Sequence, residues 1–396
     1  MSEHKFNQPK SENPTPQEPA EDIVSYFHGQ ADISMPEIPL PTAPTKKKEV
    51  NRDKCDVSFK FAFVGAGQGG SRIAEAFQQL GYRKLSAINT AEQDLNTIRL
   101  IENKLCIGDG GAGKDPSVAE ALFASRREDV LDFMYECFGE DVDRVFICAG
   151  AGGGSGAGTV CPLVDAALEM QKGVKARSSK VGVILALPKH SEGKKVNANA
   201  YNTLNKVWQM VEEGKVSPLI LLDNEKINTL YPGLAVSPFW RTANNSVAGL
   251  FHLFNHTAAR DSSYSAFDSN DFKQILDSGM ILFGAAPVDD WSGRTSVAKA
   301  VRENLKSNML SGGVDIQSGN SAGVVMVGGQ KVLDEIPQEF LDRAFDQFSR
   351  TLRKGNVVHR GIYSGDKPNL TVYTVVGGLA KPVAKLEELR QLGDLT

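Results

Sequence analysis

The most informative part of this sequence is a glycine-rich loop that reads Ala149-Gly150-Ala151-Gly152-Gly153-Gly154-Ser155-Gly156-Ala157-Gly158-Thr159. An apolar run at 145–148 precedes the loop, and apolar residues at helical spacing follow it from Val160 to Leu168. Closely spaced glycines let successive backbone N–H groups converge on phosphate oxygens, and the dipole of a following helix adds partial positive charge. Ser155 adds a hydroxyl donor. The loop therefore predicts a phosphate-binding turn between a buried strand and a helix.

Two further glycine-rich loops lie earlier in the chain. The first, at 65–70, satisfies the GxGxxG dinucleotide fingerprint, but the second strand ends in Asn89-Thr90 where that fingerprint needs Asp or Glu. The second, at 108–114, matches a P-loop as far as its lysine, but Asp115 stands where Ser or Thr must ligate magnesium, so a P-loop is rejected. Ligands of α/β sheets bind at the carboxyl ends of the strands, so three such loops favour one shared phosphate site.

Apolar runs alternate with helical segments along most of the chain, which predicts a doubly wound α/β domain. Candidate strands lie at 61–64, 85–88, 104–107, 145–148, 181–186 and 219–222, then at 281–284, 323–327 and 370–376. The last run alternates hydroxyl and apolar residues, which predicts a half-exposed strand. Helices are predicted at 296–309 and 337–354. We predict a disordered arm (1–54), a parallel-sheet α/β domain (55–240), a long central helix (241–262), a smaller α+β C-terminal domain (263–380) and a short tail (381–396).

Composition excludes several classes of protein. The chain has 396 residues with a net charge of −4, which argues against a nucleic-acid binder held by counterion release. It contains no apolar stretch long enough to cross a membrane and no secretory signal, so direct membrane insertion is not expected. The 5 cysteines form no CxxC pair, so we expect neither a disulfide scaffold nor a metal site, and we expect a cytoplasmic protein. The arm holds 8 of the 18 prolines and cannot bury enough apolar surface to fold.

The loop at 149–159 resembles the GGGTGSG/GGGTGTG signature of the tubulin/FtsZ superfamily of filament-forming GTPases, with Ser155 in place of threonine. Four other stretches resemble family motifs in the same order: 63–70 the first phosphate loop, Asn89-Thr90 the second, 111–116 the GAG-x-x-P loop, and 191–195 the F-E-G-x-(K/R) stretch. The resemblance covers nearly the whole chain outside the arm. It is closer to FtsZ-like prokaryotic, phage and plasmid members than to eukaryotic tubulin.

The resemblance implies a site for GTP or GDP, with Mg²⁺ expected to accompany the nucleotide. Glu192 matches the residue that holds the ribose, and Asn224, Trp240 and Asn244 match those that bind guanine. Amides offer a donor and an acceptor to the edge of guanine, and an indole offers a stacking face. The residues that the resemblance assigns to the nucleotide are Gly67, Gln68, Gly69, Gly70, Ser71, Arg72, Asn89, Ala112, Gly113, Gly152, Gly153, Gly154, Ser155, Gly156, Glu192, Asn224, Trp240 and Asn244.

The catalytic element of the family is an N-x-D-x-x-(D/E) loop that enters the pocket of the next subunit and orients the attacking water. The matching stretch is 266–271, which makes Asp268 and Asp271 the candidate catalytic residues. Two positions depart from the family: Ala266 replaces the leading asparagine, and Val196 stands where many relatives carry an arginine.

The resemblance therefore implies a GTPase that polymerises head to tail with copies of itself, for cell division or for positioning plasmid or phage DNA. An adaptor or DNA-bound partner is expected to bind the arm or the tail. The tail lacks the tether-binding peptide of the division protein, which favours a plasmid, phage or otherwise specialised homologue. Two alternatives stay open: a nucleotide-binding filament scaffold with weak or no hydrolysis, and a Rossmann dehydrogenase, which would bind a nicotinamide cofactor instead of GTP.

Overall fold

The computed structural model describes residues 53–288, 290–306, 312–352 and 357–395. The arm predicted for residues 1–54 therefore lies outside the described residues except for Asp53 and Lys54. The Oδ1 atom of Asp53 accepts a hydrogen bond from the backbone N–H of Arg83 at 3.0 Å, and the N–H of Lys54 donates to the carbonyl of Gly81 at 2.8 Å. These two residues thus belong to the folded domain, and the predicted boundary at residue 54 is too late.

The described strands form one sheet with a parallel part and a mixed part. The strands are β1 (Phe61–Ala66), β2 (Leu85–Asn89), β3 (Lys104–Cys106), β4 (Arg144–Gly150), β5 (Val181–Leu187), β6 (Val216–Asp223), β7 (Met280–Val288), β8 (Ser321–Gly329), β9 (Val357–Gly365) and β10 (Leu370–Leu379). Their order is β3-β2-β1-β4-β5-β6-β7-β10-β8-β9. All pairs from β3 to β7 are parallel, whereas β10 is antiparallel to both β7 and β8. The predicted α/β fold with a parallel sheet is confirmed.

Helices cover both faces of the sheet because each parallel connection must cross back over it. The helices are α1 (Gly67–Gln79), α2 (Glu92–Asn96), α3 (Pro116–Ser125), α4 (Arg127–Phe138), α5 (Ser155–Gly173), α6 (Lys194–Glu212), α7 (Asn224–Leu230), α8 (Val236–Thr257), α9 (Ser269–Leu276), α10 (Ser296–Lys306), α11 (Gln330–Glu335), α12 (Gln338–Thr351) and α13 (Val383–Leu392). Short 3₁₀ turns lie at His190–Glu192 and Ile316–Ser318. Within the described part of the chain, we find no helix with the length and apolarity that a membrane crossing requires.

One strand prediction was wrong, and one strand was missed. The run at 370–376 was predicted to be half-exposed, but nearly all of β10 is buried, because β10 lies between β7 and β8 and is packed by α9 and α10. Its hydroxyl groups face polar partners within the fold: the Nδ2 atom of Asn304 donates to Oγ1 of Thr374 at 3.3 Å. The strand β9 was not predicted, since its side chains are mostly exposed or half-buried and give no continuous apolar run.

The central helix α8 begins and ends about five residues earlier than the predicted range 241–262. Pro238 fits the first turn of a helix, where a backbone N–H needs no intrahelical partner, so the helix can begin before Trp240. Phe251 lies in its second half and packs against aromatic rings of three strands, at ring-centroid distances of 5.2 Å to Phe61, 5.0 Å to Phe146 and 6.1 Å to Phe283. The helix is therefore anchored by aromatic packing against β1, β4 and β7.

The segment predicted as a short tail, 381–396, contains the helix α13, which packs against α6. Leu386 and Leu389 are buried in that contact. The apolar side chains of the tail are therefore buried against α6 of the same chain, and α13 is part of the α/β unit.

Acid sensitivity is expected from His252, a buried residue of α8. Burial, with a smaller contribution from His256, lowers the pKa of His252 to about 3. In the unfolded chain, His252 is protonated near pH 6.5. Above that pH the free energy of unfolding is unaffected by this residue, and below it the free energy of unfolding falls by about 1.4 kcal/mol per pH unit as pH drops toward 3. Chemical unfolding of His252→Gln at several pH values should show a flatter acid limb than the wild type. The same change at His256 should keep the wild-type slope, and identical slopes in both variants would contradict the assignment.

Candidate functional site

A cleft of about 570 Å³ opens at the carboxyl ends of β1, β4, β5 and β6. This volume lies in the range of small-molecule and cofactor sites. In the strand order, the chain runs from β1 toward β2 and from β4 toward β5, in opposite directions along the sheet. The cleft lies at this switch point, which is where α/β sheets bind ligands. The predicted residues that line it are Gly67, Gln68, Gly69, Arg72, Ala112, Gly113, Gly153, Gly154, Ser155, Gly156, Glu192, Asn224, Trp240 and Asn244.

Four of the predicted nucleotide residues, Gly70, Ser71, Asn89 and Gly152, do not line the cleft but support the loops that do. A Cβ atom at Gly70 would lie 2.0 Å from the carbonyl oxygen of Cys148, and one at Gly152 would lie 2.4 Å from Cγ1 of Val196. The Ser71 hydroxyl donates to the carbonyl of Gly67 at 2.8 Å, and Oδ1 of Asn89 accepts from the N–H of Thr90 at 2.7 Å. Their function in the structure is to set the shape of the cleft wall.

Two helix N-termini face the cleft. Helix α1 begins at Gly67 and α5 at Ser155, and neither first turn is capped by a side chain. Uncapped N–H groups at a helix start, together with the helix dipole, form a ready anion site. Glycine is required here because a Cβ atom at Gly154 would lie 2.7 Å from Cβ of Ala112, where two of the glycine-rich loops meet. The cleft wall is thus suited to phosphate groups.

Charged side chains line the same cleft. Arg72 had been predicted, whereas Lys114 and Asp94 had not. Lys114 stands at a positive φ of 59°, at the turn that leads into α3. The next residue, Asp115, caps α3 by accepting from the N–H of Ser117 at 3.0 Å, and the Ser117 hydroxyl lowers the pKa of Asp115. Asp115 therefore serves the helix, which agrees with the rejection of a P-loop.

Asn224, Trp240 and Asn244 bring polar and aromatic groups to the cleft from the starts of α7 and α8. Asn224 is 4% exposed, and its Oδ1 atom is buried without a hydrogen-bond partner among the described residues. A buried acceptor without a partner is costly, so it indicates a ligand that supplies a donor. The N–H groups on the edge of guanine are such donors. The residues present therefore fit a guanine nucleotide.

Glu192 lines the cleft from the turn after β5. Its Oε1 atom accepts from the backbone N–H of Lys189 at 2.8 Å, which leaves the second carboxylate oxygen for a ligand hydroxyl. Val196, the departure noted in the sequence, is buried beneath Gly152 and brings no charge to the cleft. In the described part of the chain, no group of three or more His, Cys, Asp or Glu side chains is arranged to hold a metal ion.

The acidic residues Asp268 and Asp271 lie away from the cleft, at the start of α9. The Oδ1 atom of Asp268 accepts from the N–H groups of Asn270 and Asp271 at 2.8 and 3.0 Å, and Asp271 accepts in return from the N–H of Asp268 at 3.2 Å. This is a capping box. Trp240 and Asn244 lie in the first turns of α8, whose 22 residues span about 33 Å. The stretch 266–271, here called the acidic loop, follows the other end of α8.

The sequence did not point to His359, which contacts the acidic loop. Its Nδ1 atom lies 2.6 Å from Oδ1 of Asp271, and its side chain is only 9% exposed. His359 belongs to β9, the strand that was not predicted, so no sequence signal placed it beside Asp271.

These features define the class: an α/β protein with a ligand cleft at the switch point of a parallel sheet and two helix N-termini that face it. Comparison with known proteins supplies the family. Residues 60–232 match the family described as Tubulin/FtsZ family, GTPase domain. This match confirms the resemblance predicted from the sequence.

Individual proteins similar to this chain include bacterial and archaeal ones. Tubulin-like protein TubZ of Bacillus cereus is 25% identical over 248 residues, 57% of this chain and 54% of TubZ, so the chain spans about half the length of that relative. Cell division protein FtsZ 1 of Pyrococcus furiosus is 24% identical over 331 residues, 80% of this chain and 81% of that protein. A GTPγS-form protofilament of Bacillus thuringiensis serovar israelensis TubZ has the same fold, with a TM-score of 0.74 at 20% identity over 86% of this chain and 93% of that chain.

Proposed function

We propose that this protein binds GTP in the cleft and hydrolyses it while it polymerises head to tail into filaments. The observation that carries the proposal is the buried Oδ1 atom of Asn224, which has no partner among the described residues and lines the same cleft as the N-termini of α1 and α5. The Asn224 oxygen fits the base, and the two helix N-termini fit the phosphates. The GTPγS-form protofilament of the TubZ relative supports the same assignment. No disulfide joins the 5 cysteines, all of which lie in the described part of the chain, and this fits the reducing cytoplasm.

The phosphates are assigned to the two helix N-termini, with Arg72 and Lys114 as cations that line the cleft. Magnesium in nucleotide sites is commonly held by one or two carboxylates together with phosphate oxygens. Asp94 is the carboxylate that we assign to this function, because it lines the cleft and accepts from Nδ2 of Asn89 at 3.3 Å, which orients it.

Hydrolysis is assigned to Asp268 and Asp271 of a neighbouring copy. A group that polarises water must come within hydrogen-bond range of it, and the acidic loop follows the end of α8 opposite to Trp240 and Asn244. A head-to-tail contact brings the loop of one subunit to the cleft of the next, and such an interface extends into an open filament.

The second candidate function is a filament scaffold that binds the nucleotide but hydrolyses it weakly or not at all. It is favoured by Ala266, which removes an amide from the catalytic motif, and by Val196, which brings no cation to the cleft. Phosphate release measured at a concentration where polymer is visible by electron microscopy separates the two. Polymer with steady release supports the GTPase, and polymer without release supports the scaffold.

Guanine nucleotides should bind much more tightly than adenine nucleotides. Adenine carries an acceptor at N1, where guanine carries an N–H donor to Asn224. It therefore leaves buried amide groups unpaired, at about 1–3 kcal/mol for each group. This corresponds to a preference for GTP of about 10- to 100-fold. Calorimetric titration of the full chain with GTP and with ATP measures it.

The variant Asn224→Ala should lose most of this preference, whereas the exposed Asn202→Ala should keep it. Equal affinity of the wild-type protein for the two nucleotides would overturn the guanine assignment and reopen the dehydrogenase alternative, for which NAD binding is the matching test.

The task of the polymer in the cell is proposed to be either division or the positioning of plasmid or phage DNA, with an adaptor or DNA-bound partner recruited through the arm or the tail. A fluorescent fusion distinguishes the two tasks. A ring at the division site supports the first, and filaments that move with a labelled plasmid or phage genome support the second.

A further inference from the structure

Helix α13 is joined by two side-chain contacts to segments beside the cleft, although it lies at the other end of the sequence. The Nζ atom of Lys385 is 2.8 Å from Oδ2 of Asp223, and their side chains are only 6% and 2% exposed. One turn further along α13, the carboxylate of Glu388 pairs with the Nε2 atom of His190. Because Lys385 is almost fully buried, its contact with Asp223 is part of the core rather than an exposed surface pair.

Asp223 holds the residue that we assign to the base. It is the last residue of β6 and directly precedes Asn224. Its Oδ1 atom caps α7 by accepting from the N–H groups of Glu225 and Lys226 at 3.1 and 3.2 Å. The direction of Asn224 at the start of α7 therefore depends on how Asp223 is fixed.

The charge on Lys385 is maintained by its partners. Burial alone lowers the pKa of Lys385, but Asp223 and Glu388 together raise it above its usual value. The carboxylate of Asp223 therefore faces a protonated Lys385 at neutral pH, which offsets the cost of its own burial. Without that cation, Asp223 would be a buried, unpaired charge beside the base-binding residue.

Glu388 extends the same connection to the other side of the cleft. It pairs with Lys385 at 2.8 Å and with His190, and the backbone N–H of His190 donates to Oε2 of Glu225 at 2.9 Å. Glu192, two residues after His190, lines the cleft. The helix α13 thus binds together the turn after β5 and the start of α7, the two segments that we assign to the ribose and the base.

We propose that α13 is a clasp that fixes the nucleoside end of the cleft, with Lys385 as a positioning residue that acts on Asn224 through Asp223; this rests on the proposed binding of GTP. Residues that do not touch a ligand but hold those that do typically change its affinity by about 2- to 30-fold. The effect falls on recognition of the base, because the phosphates are held by α1 and α5 at the other glycine-lined walls of the cleft.

The test is calorimetric titration of the full-length Lys385→Met variant with GDP and with ADP. The affinity for GDP should fall about tenfold, and the affinity for ADP should change much less, so that the ratio of the two affinities collapses. The matched control is Lys381→Met, the same change at an exposed lysine just before α13, which should keep both affinities. A folded Lys385→Met variant with an unchanged ratio would overturn the proposal, and so would an equal loss for both nucleotides, which a merely structural role would produce.

Glu388→Gln provides a second, milder variant if Lys385→Met does not fold. It removes the charge that links Lys385 to His190 at a side chain that is 34% exposed, and it should lower the ratio of GDP to ADP affinity by a smaller factor. Its control is Glu387→Gln, an exposed neighbour that pairs with Arg390. A wild-type ratio in Glu388→Gln would overturn the clasp. A wild-type protein that binds neither nucleotide would instead overturn the proposed function.

Discussion

Replacing Asp271 with asparagine should lower GTP turnover by about 10²- to 10⁴-fold, which is the usual effect of removing a general base. Asparagine has the same shape but cannot carry the negative charge that polarises water. It keeps an oxygen that can accept from the N–H of Asp268, so the capping box of α9 loses little stability. Because Asp271 lies away from the cleft of its own subunit, GTP binding and assembly should persist, and the polymers should live longer.

Phosphate release, GTP titration and light scattering on the same preparation measure these three effects separately. The control is Asp261→Asn, an exposed aspartate just before the acidic loop, which should behave as the wild type. A turnover of Asp271→Asn within a few-fold of the wild type would contradict the catalytic assignment.

Replacing Gly153 with aspartate should abolish nucleotide binding without unfolding the protein. Gly153 lines the cleft, and a Cβ atom there would meet no atom within 4 Å, so the fold has room for a side chain. A carboxylate in this position stands beside the predicted phosphates. Two like charges about 4 Å apart repel by roughly 4 kcal/mol near a protein surface, which corresponds to a loss of affinity of about 10³-fold.

The matched control is Gly153→Ala, which adds a methyl group without a charge. It should retain far more affinity than Gly153→Asp while both variants melt near the wild-type temperature. Equal affinities in the two variants would show that the loop at 149–159 does not face phosphate.

Mixing the two charge variants tests whether the active site is shared. Asp271→Asn keeps a wild-type cleft, and Gly153→Asp keeps a wild-type acidic loop. An equimolar mixture should recover part of the wild-type turnover, because some interfaces join the intact cleft of one subunit to the intact loop of another. Each variant alone should stay near background.

The parallel part of the fold could be predicted from the sequence because its strands are buried on both faces. The apolar runs at 61–64, 145–148 and 181–186 each lie within an observed strand, and a glycine-rich loop follows two of them. The C-terminal strands were harder to interpret. Whether β10 is exposed depends on its neighbours in the sheet, and β9 has no apolar run longer than two residues.

Some features of the candidate site could likewise be predicted from the sequence, and others could not. Loops that contact a ligand through their backbone leave a local signal in the sequence, since they require several glycines close together. Contacts between elements that are distant along the chain leave no such local signal. Two examples are the contact of His359 with Asp271 and that of Lys385 with Asp223. The docking of α13 on α6 likewise depends on tertiary packing, so the tail was predicted without its partner.

The central claim is that catalysis requires two subunits, and it is tested most directly by the dependence of specific activity on protein concentration. Phosphate release from the full chain with saturating GTP and Mg²⁺ should be measured from high dilution to concentrations at which polymer is visible. We expect activity per subunit to stay near background at high dilution and to rise steeply once head-to-tail contacts form. A specific activity that is constant across the whole range would place the complete active site within one subunit and contradict the account.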